Sequence, residues 1–223
     1  MGQDITLTSK DGFQLGAYKA EPEGKPRGAV VVIQEIFGVN HHIRSVADRY
    51  AQLGFVAIAP ALFDRGEKNF QSGYDGAAMD KARGMTQKIP LDQRLADTQA
   101  AIDAVKSVGK VAVLGYCMGG SIAFLSATRL SGVSAAVGYY GGQIAQFAEE
   151  KPKAPVMLHF GEKDQSIPLT DVEKSKAAQP GTPIFVYMGA GHGFHCDERG
   201  SFNAEAAQVA ACRSEEFLAK HIG

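Results

Sequence analysis

Val111-Ala112-Val113-Leu114-Gly115-Tyr116-Cys117-Met118-Gly119-Gly120-Ser121 decides how the rest of this 223-residue chain is read. A short apolar, β-branched run stops at Gly115-Tyr116-Cys117-Met118-Gly119-Gly120, and a second apolar stretch, Ile122 to Ala127, begins at once. The pattern predicts a strand, a hard turn and a buried helix. Its form is Gly-x-Cys-x-Gly, the nucleophile elbow with Cys in place of Ser. A residue exposed at a strand end with its sulfur free must sit in a strained turn, and neighbours two positions away then need no Cβ if strand and helix are to cross closely. The N–H of Met118 falls at a helix N-terminus, where partial positive charge favours a thiolate and an oxyanion alike. A buried structural Cys in an ordinary β–α connection fits the same short pattern, so the rest of the chain must decide.

Outward from the elbow, short strands alternate with helical patterns. Residues 3–20 read as a hairpin about Lys10-Asp11-Gly12, and Ala29–Ile33 and Phe55–Pro60 as buried strands. Between these two strands Ile43, Val46, Ala47, Tyr50 and Leu53 share a helical face. Periodicity fades from 61 to 90, a stretch read as a lid or substrate-facing loop region with short helices. A helix over Leu91–Val105 precedes the elbow strand. Strands at Ser134–Tyr140, Pro155–Phe160 and Pro183–Met188 follow it, with a helix at Leu169–Ala178 and a last helix from about Asn203 to His221. On that last helix Val209 and Cys212 are read as one packed face. The alternation predicts one α/β domain over 1–223, a three-layer sandwich with a mostly parallel central sheet.

Composition excludes several function classes. Lys and Arg number 23 against 24 Asp and Glu, with no basic footprint for nucleic acid. No apolar run approaches the ~18 residues of a membrane span. Met1-Gly2-Gln3-Asp4-Ile5-Thr6 fits a loose acylation pattern but is read as a short strand. Three cysteines at unrelated spacings argue for a reducing, cytoplasmic setting rather than a disulfide framework. His192, His195 and Cys196 fit no zinc spacing, and neither a metal nor a cofactor is expected.

Sheets of this kind bind ligands beyond the carboxyl ends of their strands. Glu35, Cys117, Asp164 and His192 all follow predicted strands directly, so they converge on one rim. The order Cys117, Asp164, His192 is nucleophile, acid, histidine, the chain order of the α/β-hydrolase fold. His192 serves as base and then acid, and Asp164 orients its ring. The N–H groups of Met118 and Ile36 surround the developing oxyanion. Singly, His192 reads equally as a turn histidine, Asp164 as a turn or cap residue and Glu35 as a loop carboxylate. His41-His42 reads as a capping or rim feature. Phe37, Tyr74, Tyr140 and Phe194 are candidate pocket residues, although aromatics beside strand ends are as often core.

Gln34-Glu35-Ile36-Phe37-Gly38, Gly115 to Gly120, Gly138-Tyr139-Tyr140-Gly141, Gly161-Glu162-Lys163-Asp164 and Ala190-Gly191-His192-Gly193-Phe194 together resemble the dienelactone hydrolase (carboxymethylenebutenolidase) family, and the likeness runs along essentially the whole chain. The resemblance implies a Cys117–His192–Asp164 triad, an oxyanion hole at Ile36 and Met118, and hydrolysis of a small ester or lactone through an acyl-enzyme. It also implies that the Glu35 carboxylate meets the resting thiol and helps to activate it when substrate arrives, which protects the sulfur from oxidation. Two departures bear on the substrate. Where dienelactone-cleaving members place a carboxylate-binding arginine, four residues beyond the catalytic His, this chain has Cys196, with Arg199 three positions later. The residue after the His, often Ser in those members, is Gly193. Arg199, Arg65 and Arg83 are the candidates for an anionic substrate group. A thioesterase or peptidase on the same triad, and a binding or thiol redox-sensing protein, are the competing expectations. Monomer and homodimer are both compatible with the sequence.

Overall fold

The computed structural model describes residues 2–223, so Met1 of the acylation-like pattern lies outside it. β1 (Gln3–Thr8) and β2 (Gln14–Ala20) pair antiparallel as the expected hairpin. β3 (Ala29–Ile33), β4 (Val56–Pro60), β5 (Val111–Tyr116), β6 (Val133–Tyr139), β7 (Val156–Gly161) and β8 (Ile184–Tyr187) complete an eight-stranded sheet in the order β1-β2-β4-β3-β5-β6-β7-β8. From β4 to β8 every pairing is parallel. The run of Val, Ile, Leu and Ala in β3, β4 and β5 is buried at every position, as strands covered on both faces require.

Helices cover the two faces. α1 (His41–Gln52) packs on β2, β3 and β4, and α6 (Ala204–Ile222) on β5, β6 and β7, with Arg49 and Glu215 paired between them. α3 (Leu91–Val105) and α4 (Met118–Arg129) pack together on the other face. α5 (Leu169–Ala178) follows β7. Side-chain caps set three helix starts. Asn40 accepts from Ile43 N, Asp75 from Ala78 N and Asn203 from Ala206 N, each worth about 1 kcal/mol. The cap of α1 is therefore Asn40, and not the His41-His42 pair.

Two other expectations change. Within 61–90 the structure forms one long helix, α2 (Gly76–Lys88), whose buried residues are Ala82 and Met85. So narrow an apolar stripe leaves little periodicity to read. On α6, Val209 and Cys212 face solvent, and the packed face is Ala206, Ala207, Ala210, Ala211, Ser214, Phe217 and Leu218. Ser214 belongs to a polar link through the core: His159 Nε2 lies 3.0 Å from its Oγ, His159 Nδ1 2.8 Å from Tyr187 Oη, and Tyr139 Oη donates to Ala210 O. Burial holds His159 well below the ordinary imidazole value, so it is a neutral strut between β7 and α6. Among the described residues no helix is long and apolar enough to cross a membrane.

Candidate active site

β5 ends at Tyr116 and α4 begins at Met118, leaving Cys117 alone in the turn with φ 54° and ψ −116°. A non-glycine residue there costs on the order of 1–3 kcal/mol and persists only where its surroundings enforce it. They do so through close packing. A Cβ on Gly115 would meet Gly119 O at 2.0 Å, and one on Gly119 would meet Ile33 O at 2.4 Å. Cys117 N also donates to Tyr139 O at 3.0 Å, which anchors the turn to β6.

The sulfur opens into a cavity of about 330 Å³ whose walls include Ile36, Phe37, Met118, His192 and Arg199. Behind it, His192 Nδ1 lies 2.7 Å from Asp164 Oδ2, which leaves Nε2 to face the Cys117 sulfur. Asp164 Oδ1 accepts from Ser166 N at 2.8 Å and Ile167 N at 3.1 Å, so the carboxylate is fixed before it meets the ring. Burial pushes the imidazole toward its neutral form. The adjacent Cys117 sulfur and the Asp164 carboxylate outweigh that and hold its pKa up at about 10. The ring is thereby held as the imidazolium. Neither Ile36 N–H nor Met118 N–H donates a hydrogen bond among the described residues, so both are free to serve an oxyanion in the cavity they line.

Glu35 is buried, at 1% exposure, and is not a solvated loop carboxylate. Its Oε1 accepts from Arg199 Nη1 at 2.9 Å. Its hydrogen-bonded partner is thus Arg199 rather than the resting thiol. The guanidinium also lies over the rings of Phe37 and Tyr74, at 5.5 and 5.8 Å from their centroids.

Of the residues picked from sequence for binding, Phe37 and Arg199 line the cavity, and so does Arg83. Tyr74, Tyr140 and Phe194 are not among its walls. Tyr74 packs edge-on against Phe37 and accepts hydrogen bonds from Asn40 Nδ2 and Cys196 Sγ. Tyr140 has φ 37° and supports the His192 ring from 5.1 Å, with Phe194 packed behind it. Arg65 is committed elsewhere, to Asp97 and Asp11. Met79 and Thr86 enter unforeseen from α2, together with Arg83. The spacing i, i+4, i+7 of 79, 83 and 86 was the available signal.

The sequence pattern of the dienelactone hydrolase family matches residues 15–222. The carboxymethylenebutenolidase of Pseudomonas putida is 31% identical, with 97% of this chain and 96% of its own covered. The chain belongs to the dienelactone hydrolase family. It is therefore a hydrolase. A Synechocystis protein assigned to the carboxymethylenebutenolidases is 37% identical over 91% of this chain and 90% of its own. A crystal structure assigned to the dienelactone hydrolases, from Klebsiella pneumoniae, superposes with a TM-score of 0.88 at 31% identity, covering 99% of both chains.

Against that family background the two departures explain each other. Gly193 has φ +77°, and a Cβ on it would meet Arg199 Nη1 at 2.3 Å. The missing side chain makes room for an arginine that reaches the cavity from three residues further along than the position held by Cys196. Gly193→Ala is expected to destabilise the protein by at least about 1–2 kcal/mol through its left-handed backbone alone. It should also push Arg199 off Glu35. Urea unfolding reads the first effect and a crystal structure of the variant the second, and an Arg199 still bonded to Glu35 would contradict it.

Proposed function

We propose that this dienelactone hydrolase-like protein cleaves small esters or lactones that carry an anionic group, through a thioester formed on Cys117. The observation that carries the reading is the meeting of a strained Cys117, a His192 fixed by Asp164, and Arg199 around one cavity of about 330 Å³. Its size suits a small acyl compound rather than a peptide.

The Cys117 sulfur attacks the carbonyl carbon, and the oxygen that becomes negative is held by the N–H groups of Ile36 and Met118. The imidazolium of His192 gives its proton to the departing alkoxide. The neutral ring then takes a proton from water, whose hydroxide attacks the thioester and releases the acid and free thiol. Asp164 keeps the ring in the tautomer this cycle needs.

Arg199 supplies both selectivity and activation. A substrate carboxylate arriving at its guanidinium competes with Glu35 for the same donors, and the displaced Glu35 becomes available to the Cys117 thiol. α2 acts as the cover, its Met79, Arg83 and Thr86 closing one wall. Arg199→Gln is expected to raise KM ten- to hundredfold for a carboxylate-bearing lactone, the worth of a charge-assisted hydrogen bond of about 1.5–3 kcal/mol. A neutral aryl acetate should show little change in KM. Steady-state kinetics on both substrates, with acyl thioesters as a third class, test the reading; equal losses on anionic and neutral esters would remove Arg199 from substrate recognition. Preferred turnover of thioesters would favour a thioesterase.

A further inference from the structure

Behind the Glu35–Arg199 pair lies a cluster that shares only Glu35 with the hydrolytic cycle. One ligand atom from each of Glu35, His42 and Cys196 lies within 4.8 Å of the others, and all three residues are buried. Arg199 occupies Glu35 Oε1, but Oε2 is buried without a hydrogen-bond partner, and so is His42 Nε2. Leaving one such atom unsatisfied costs about 1–3 kcal/mol. Two of them beside a thiol are an expensive arrangement unless something joins them. Carboxylate, imidazole and thiol together form the donor set of a borderline-soft divalent cation.

The surroundings suit that use. His42 Nδ1 faces Asp197 Oδ1 at 3.6 Å, and a carboxylate behind an imidazole orients it as a ligand. Tyr74 Oη lies 3.3 Å from Cys196 Sγ and is placed to donate to a thiolate once the thiol proton is gone. His42 also walls a second cavity of about 300 Å³, with Arg49, His195 and Asp197, which offers an ion an approach separate from the catalytic cavity. Glu35 follows β3, His42 lies in the first turn of α1 and Cys196 in the turns after His192, so no sequence spacing reveals the trio.

We propose that Glu35, His42 and Cys196 form an inhibitory site for a thiophilic divalent cation of the Zn²⁺ type. Binding joins Cys196 Sγ, His42 Nε2 and Glu35 Oε2 to the ion, leaves a fourth position open, and releases the Cys196 thiol proton to solvent with no change of oxidation state. The bound ion pins Glu35, which can no longer leave Arg199 and reach Cys117. The inhibitory part rests on the function proposed above; the binding part does not.

The test begins with Co²⁺ added to the Cys117→Ala protein, in which the catalytic thiol cannot contribute. One equivalent of Co²⁺ should produce a thiolate-to-metal charge-transfer absorption that Zn²⁺ bleaches. The band should vanish in C117A/C196S, and Co²⁺ should bind at least tenfold more weakly in C117A/H42Q. It should persist in C117A/C212S, because Cys212 is exposed on α6. No band in Cys117→Ala, or a band that survives Cys196→Ser, overturns the site. In the Cys117-containing protein Zn²⁺ should then suppress turnover and EDTA restore it. Cys196→Ser should keep its basal rate and need at least tenfold more Zn²⁺. Equal Zn²⁺ sensitivity in that variant, or metal binding without inhibition, overturns the inhibitory role, while the Co²⁺ titration stands even if no ester is ever turned over.

Discussion

Replacing Cys117 by Ala is expected to lower kcat/KM on any ester or lactone substrate by about 10⁴-fold or more, the scale on which removing a nucleophile acts when triad members work as a unit. The fold should hardly notice. The side chain is only partly buried and faces the cavity, and alanine leaves the Gly115–Gly119 crossing as it was. The unfolding free energy should change by less than about 1 kcal/mol, because the strained backbone is common to both proteins. Serine should rescue poorly. His192 is held as the imidazolium and cannot deprotonate a hydroxyl, and a hydroxyl is itself far less acidic than a thiol. A variant that kept its rate within tenfold would mean that hydrolysis happens without this sulfur.

Asp164→Asn should cost kcat about 10⁴-fold with the geometry nearly intact, by analogy with the effect of losing the tautomer-setting carboxylate in a triad. The amide can still accept from Ser166 N and Ile167 N through its oxygen. Its NH₂ then faces His192 Nδ1 and forces the ring proton onto Nε2, which turns the ring's acceptor away from the nucleophile. The pH profile gives an independent reading. In the wild type the alkaline limb reports loss of the imidazolium proton and should fall near pH 10. Without the Asp164 charge the imidazolium is less favoured, so the limb should move to lower pH. A full rate with an unshifted limb would mean that Asp164 does nothing beyond shaping the turn at Gly161–Ile167.

How much of this was legible in the sequence follows from the kind of signal each feature leaves. The elbow was readable because close packing leaves glycines at fixed offsets around Cys117. The strands were readable because burial on both faces leaves unbroken apolar runs in β3, β4 and β5. The packed face of α6 was missed because it is built mainly of alanines, 206, 207, 210 and 211, whose hydrophobic signal is weak beside that of Val209. α2 was blurred for a related reason, since it buries little beyond Ala82 and Met85. The partner of Glu35 and the pocket's arginine depend on how the turns after His192 run. There Gly193 and the path of the chain from Cys196 to Arg199 decide which guanidinium arrives, and spacing carries no such information. His41-His42 reads as a capping or rim feature because the pair does open α1, but Asn40 supplies the cap and His42 is buried.

The most direct measurement is rapid-quench mass spectrometry of the wild-type protein mixed with an excess of an activated aryl ester. Peptide mapping should place an added acyl mass on the fragment carrying Cys117, formed in the first turnover and lost as acid is released, with Cys196 and Cys212 unmodified. Turnover at full rate with no acyl group on Cys117 at any time, or with the group on another residue, would contradict covalent catalysis at this sulfur.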